Sequence, residues 1–159
     1  MELRDRDKEV EGEQVSPLGG ACVVDASVVV KWFVDEEHSE QARRLEEDYV
    51  EGKIDILAPT LLDYEVLNAL RYSGAFGEEE LKEVARVLED LQLGYVPVRG
   101  NLMGLAVELA LKKGITIYDA SYVALAVDRG IVLWTADEKL VRKVKMKEVR
   151  HVSSYRGKA

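Results

Sequence analysis

The chain predicts an α/β fold, a three-layer α/β/α arrangement around a central parallel sheet, and two observations predict it. Short runs that are almost wholly apolar, such as ACVV (21–24), IDIL (54–57) and IVLWT (131–135), have the length and composition of strands buried on both faces. Segments with helical apolar spacing separate these runs throughout, as in a sheet whose strands are joined by helical crossovers.

The elements follow in order. Residues 1–20 (MELRDRDKEVEGEQVSPLGG) show no apolar period and end in Ser-Pro-Leu-Gly-Gly, so they read as a flexible N-terminal tail. ACVV is the first strand, SVVVKWFV (27–34) a buried helix, and HSEQARRLEEDYVEG (38–52) a charged helix ending near Gly52. IDIL is the next strand, and Pro59 and Thr60 open TLLDYEVLNALRYS (60–73), whose Leu62, Val66, Ala69 and Leu70 repeat at helical spacing. EEELKEVARVLEDLQ (78–92) is an amphipathic helix and YVPV (95–98) a strand. NLMGLAVELALKKG (101–114) and ASYVALAVDRG (120–130) are helices closed by Gly114 and Gly130. After IVLWT, DEKLVRKVK (137–145) and EVRHV (148–152) finish as helix and strand. Residues 21–152 therefore form one domain, with 153–159 as a C-terminal tail.

At 159 residues and 47% hydrophobic composition, one domain can bury a self-sufficient core without disulfides. The lone Cys22 lies in an apolar run and reads as a small core residue, as expected of a protein in a reducing cytoplasm. No apolar stretch approaches the length of a membrane span, and residues 1–13 are charged where a signal peptide would be apolar. A net charge of −8 argues against gripping nucleic acid by bulk electrostatics. Basic character is local: Lys139, Arg142, Lys143, Lys145, Lys147 and Arg150 face only Glu148 within 139–150, a run that suits either a solvated face or phosphate contact.

Four acids stand in or beside apolar segments: Asp25 (ACVVDAS), Glu65 (LLDYEVLNAL), Asp119 (TIYDASYVALA) and Asp137 (WTADEKL). Brought together in a partly dry cleft they would repel one another, and a hard divalent cation with oxygen ligands, Mg2+ or Mn2+, is the natural remedy. Asp25 and Asp137 each follow a strand and precede a helix, the position at which α/β sheets bind ligands. Taken singly, Asp25, Asp119 and Asp137 each also read as helix N-caps, and Thr135 with Glu138 matches a capping box. Glu65 is different, because it lies within a helix with no same-face cation and with Asn68 as its nearest polar neighbour.

In these residues the chain resembles the PIN (PilT N-terminal) domain nucleases, and among them the VapC-like toxins of toxin–antitoxin modules. The resemblance runs from Ala21 to Val152. It rests on Asp25 with Ser27 two positions on, E-x-x-N-A-L at Glu65 and Asn68, Y-D-A-x-Y-x-A-L-A at Asp119, and T-A-D-E-K-L at Thr135 and Asp137. It implies that Asp25, Glu65, Asp119 and Asp137 are the catalytic, metal-holding acids, with Ser27, Asn68 and Thr135 hydrogen-bonding ligands or waters in support. It further implies a PIN-like fold, Mg2+ or Mn2+ as cofactor, endonucleolytic hydrolysis of RNA to a 5′-phosphate and a 3′-hydroxyl, a cognate antitoxin as partner, and a homodimer. The apolar residues of SVVVKWFV and LLDYEVLNALRYS, more numerous than one small sheet needs, point the same way on dimerisation. The N-terminal tail departs from the family's compact members.

Two alternatives compete with this reading. A PIN fold that binds RNA or protein without cutting has no use for intact acids. An aspartate-dependent phosphatase normally carries a second acid close to the first, and Asp25 is followed by Ala26 and Ser27. His38 and His151 have no partners at zinc spacing and read as surface residues, while Trp32 and Trp134 sit in apolar runs and read as core. Ser27 has neither a nearby histidine nor a nucleophile elbow, and no glycine-rich phosphate loop is present.

Overall fold

A computed structural model describes residues 20–158. The N-terminal segment read as a tail lies outside them, apart from Gly20. The described residues form five strands, β1 (Ala21–Val24), β2 (Asp55–Pro59), β3 (Gly94–Val96), β4 (Val132–Thr135) and β5 (Val149–His151). Seven helices join them: α1 (Ala26–Val30), α2 (Ser39–Val50), α3 (Leu62–Tyr72), α4 (Glu78–Leu91), α5 (Asn101–Lys113), α6 (Ile117–Arg129) and α7 (Glu138–Val144). Every strand pairing is parallel, in the order β3-β2-β1-β4-β5. The α/β class and the three-layer arrangement follow directly.

That order decides where a ligand can sit. The chain builds outward from β1 through β2 to β3, then returns to lay β4 on the other side of β1, with Cys22 beside Val132 and Val24 beside Trp134. The crossovers above β1 and β4 therefore diverge, which in such sheets leaves a crevice over the carboxyl ends, where Asp25 and Asp137 follow their strands.

The core explains the stiffness of that crevice. Helix α6 buries an unbroken run, Ala120–Ala126, and packs against β1, β2 and β4, leaving only its first turn and its last residues open to solvent. Small residues at Ala120, Ala124 and Ala126 let it approach the sheet closely. Val23, Val24, Val28, Val29, Leu62, Val66 and Leu70 are fully buried, and Trp32 and Trp134 join this core as read from the sequence. The Trp32 indole donates to the Ala42 carbonyl at 2.8 Å.

Several local expectations are corrected. SVVVKWFV is helical only to Val30, and buried Lys31 turns the chain by binding the Glu36 carboxylate at 2.8 Å and the Glu37 carbonyl at 2.6 Å. Helix α6 starts at Ile117 because Thr116, not Asp119, is its N-cap, and the Thr116 hydroxyl accepts from the Asp119 N–H. Thr135 is no capping box: it ends β4, fully buried, and Asp137 caps α7 by accepting from the N–H groups of Lys139 and Leu140. His38 and His151 are half-buried and meet edge to face at 5.2 Å. The segment set apart as a C-terminal tail is docked through residue 158, with Tyr155 packed on Trp134 and hydrogen-bonded to Asp48 on α2.

Candidate active site

All four acids stand at the same end of the sheet and at the start of a helix. Asp25 directly follows β1 and caps α1, its carboxylate accepting from the Val28 N–H at 3.3 Å. Glu65 lies in the first turn of α3, Asp119 in the first turn of α6, and Asp137 caps α7. Helix starts present unpaired N–H groups and the positive end of the backbone dipole, so negative charge is tolerated there better than elsewhere in a fold. Tolerance is not neutralisation, however, and among the described residues no cation forms an ion pair with any of the four.

Electrostatics show which acids see one another. Burial pushes the Asp25 carboxyl up to about 6, against the pull of Ser27, Thr135 and Val28, and the charge of Asp119 pushes it further. Glu65 is raised by burial first and then by Asp119, with the bond from Tyr122 opposing. Asp119 is raised by burial and by Asp137, with Thr116 and Lys143 opposing. Asp119 is thus the hub that feels or perturbs the other three.

Supporting residues tie the two central strands together. The Ser27 hydroxyl donates to Asp25 at 2.5 Å and accepts from the Ala136 N–H at 2.8 Å, and it lies 3.3 Å from the Thr135 hydroxyl. Thr135 in turn accepts from the Asp137 N–H at 3.1 Å. Asp25 and the Asp137 backbone are held in register by this hydroxyl pair. Asn68 is exposed on α3, and among the described residues it has no hydrogen bond to the acids, which leaves its side chain open to a ligand or water. The residue that sequence reasoning missed is Tyr122, buried on α6, whose hydroxyl donates to Glu65 at 2.6 Å. A clue was available in its spacing, since Tyr122 lies one helical turn after Asp119 and therefore on the same face.

Among the described residues, no three of the His, Cys, Asp and Glu side chains stand close enough to form a finished metal cage. The donors nonetheless fit a hard divalent cation, because they are all carboxylate oxygens and their charge is uncompensated. Asp137 is engaged by its helix cap and Glu65 by Tyr122.

Comparison with known proteins fixes the lineage. The family model described as "PIN domain" matches residues 22–146. The chain belongs to the PIN domain family. Within that family it is 37% identical over 125 residues to Ribonuclease VapC3 of Pyrobaculum aerophilum, covering 76% of this chain and 92% of the relative. It is 31% identical over 93 residues to Exonuclease VapC9 of the same organism, covering 58% and 68% respectively. Among solved structures, a toxin–antitoxin complex from Klebsiella pneumoniae superposes with a TM-score of 0.59 at 14% identity, covering 82% of this chain and 97% of that one. This last likeness concerns the PIN fold alone.

Proposed function

We propose that the protein is a divalent-metal-dependent endoribonuclease of VapC type, the toxin of a toxin–antitoxin pair, acting in the cytoplasm on RNA. The observation that carries this reading is the set of acids over the β1/β4 crevice of a PIN-family chain. Asp25, Glu65 and Asp119 are raised by burial and repulsion, with only the charge of Lys143 opposing at Asp119.

Asp25, Glu65, Asp119 and Asp137 would hold Mg2+ or Mn2+, with Asp119 central. A cation held there supplies charge neutralisation for the phosphodiester and lowers the pKa of an attacking water. The protein's own part is positional. Ser27 and Thr135 fix the Asp25 carboxylate against β4, and Tyr122 fixes Glu65. Asp119, half-exposed beside the cleft, is suited to accept a proton from the attacking water. Four helix starts around the crevice add partial positive charge that favours an approaching phosphate.

Homodimerisation belongs to the same reading. Val28, Val29, Leu62, Val66 and Leu70 are consumed by the chain's own core, but Tyr64 and Tyr72 on α3 are 78% and 73% exposed. Met103, Val107 and Leu111 form a second exposed stripe, at helical spacing on α5, and would add to the contact. An antitoxin would reach the acids as a competitor of RNA, most simply with an arginine in the place of the cation.

Incubation with a circular RNA tests the activity. Linear product is expected with Mn2+ or Mg2+ and none in EDTA, since an exonuclease cannot open a circle. Equal cleavage in EDTA would refute the metal dependence, and digestion of linear RNA alone would refute the endonuclease assignment.

A further inference from the structure

Of the basic run Lys139–Arg150 found in the sequence, only Lys143 touches the acid site, through its charge on Asp119. Among the described residues, none of Lys139, Arg142, Lys143, Lys145, Lys147 and Arg150 lies in an ion pair, a state they share with Arg44, Arg71, Arg99, Lys112, Lys113, Arg156 and Lys158. What sets the run apart is its density: in a chain of net charge −8, six bases against one acid make a local positive patch that suits a negative ligand. Helix energetics accounts for part of the run. Arg142 and Lys143 stand in the last turn of α7, where cations suit the backbone dipole.

Lys139 has no such excuse. It is the second residue of α7, next to the positive end of that dipole, where a cation is disfavoured. Its position has a different logic. Lys139 and Lys143 lie four residues apart on one face, and together with Thr116, Asp119 and Asp137 they line one cavity of about 300 Å³. Lys143 is drawn to the loop before α6, donating to the Gly114 carbonyl at 3.2 Å. Two of the candidate metal ligands and two lysines thus share one wall.

An aromatic stands beside that wall. Tyr118, 64% exposed, immediately precedes Asp119, and Ile117 beside it is 42% exposed. A ring held so far out of the core contributes little to packing and offers a free face for stacking.

We propose that a single-stranded RNA segment lies along this wall, with Lys139 and Lys143 on the phosphates next to the scissile one and a base stacked on Tyr118. The proposal deepens the nuclease reading and rests on it for the location of the scissile phosphate. Lysine suits this task, being a mobile point charge that follows a flexible backbone, and stacking adds sequence-tolerant affinity for unpaired bases.

Binding without cutting separates the two claims. Anisotropy of a labelled single-stranded oligoribonucleotide would be measured in EDTA on the full chain carrying Asp25→Asn. Lys139→Gln and Lys143→Gln are each expected to flatten the slope of log affinity against log salt by about 0.7, the loss of one single-strand phosphate contact. Lys82→Gln on α4 is expected to leave the slope unchanged. Tyr118→Leu is expected to weaken binding about fivefold or more with an unaltered slope, and to have no effect on duplex RNA of the same sequence. Unchanged slopes in both lysine variants, no RNA binding at all, or a Tyr118 effect as large on duplex would overturn the proposal. A chain that binds in this way yet cuts nothing with Mn2+ would sink the nuclease reading alone. If RNA is cut and Lys139→Gln with Lys143→Gln keeps the full kcat/KM, the proposal falls and the nuclease reading stands.

Discussion

Asp48 and Asp25 are both buried carboxylates in one small domain, 5% and 8% exposed, and their surroundings are opposite. Asp48 lies near the end of α2, beside the start of β2, and receives the Tyr155 hydroxyl and the Lys158 N–H at 2.8 Å. No second acid competes for these donors. Asp25, at the other end of the sheet, is held by Ser27 and Val28 but feels Asp119, and through Asp119 the charges of Glu65 and Asp137. Burial of an acid therefore says little about its use. An acid whose hydrogen bonds close on themselves is structural, whereas acids that repel one another around an open crevice are poised for a ligand.

The sharpest way to break this contrast is to neutralise one acid at each end. Asp119→Asn is expected to lower RNA cleavage by roughly a hundredfold or more while the protein still melts cooperatively, because it removes the acid proposed as the central ligand and leaves the core intact. Asp48→Asn is expected to lower the melting temperature and to leave kcat/KM per folded molecule near wild type. A cleavage assay normalised to circular dichroism decides it. Full activity in Asp119→Asn would remove that residue from the site.

Tyr122→Phe comes next. The ring stays buried and only the bond to Glu65 is lost, so the fold should persist. Outer-shell bonds of this kind typically contribute ten- to hundredfold to metal affinity, and a loss of roughly that size is expected for Mn2+ measured by calorimetry. Wild-type affinity in the variant would leave Tyr122 a packing residue only.

The sequence made the strands and helices legible because each has a clean period and clear stops, from ACVV to the helix closed by Gly130. Asp25 and Asp137 were legible for the same reason, as residues that leave apolar strands. What escaped depended on tertiary partners. Tyr122 reads as one more apolar residue in YVALA until α3 is laid beside α6, and Tyr155 reads as tail until Trp134 and Asp48 receive it. Thr116 displaced Asp119 as a cap because a helix start one turn earlier satisfies both residues.

Tyr155→Phe probes the structural end with a smaller effect. The packing on Trp134 survives, while the hydroxyl bond to the Asp48 carboxylate is lost, for about 1–3 kcal/mol of stability in urea unfolding. Mn2+ affinity should not change. A shift in that affinity would mean that the two ends of the sheet are coupled, contrary to the contrast drawn above.

The smallest effect concerns pH in EDTA. A carboxyl raised from 3.8 to about 6 binds more protons folded than unfolded between those values, so its contribution to stability falls as pH rises through that window. Between about pH 5 and about pH 7 the Asp25 contribution amounts to roughly 1 kcal/mol lost. Asp25→Asn cannot titrate and should lose less stability over the same range, melting no lower than wild type at neutral pH, since asparagine caps a helix about as well. Mn2+ should reverse the slope for the wild type, because the ionised acid is the form that binds the cation. A wild type and an Asp25→Asn variant with parallel stability profiles in EDTA, and with the same response to Mn2+, would make Asp25 a second Asp48: a buried cap with no part in the site.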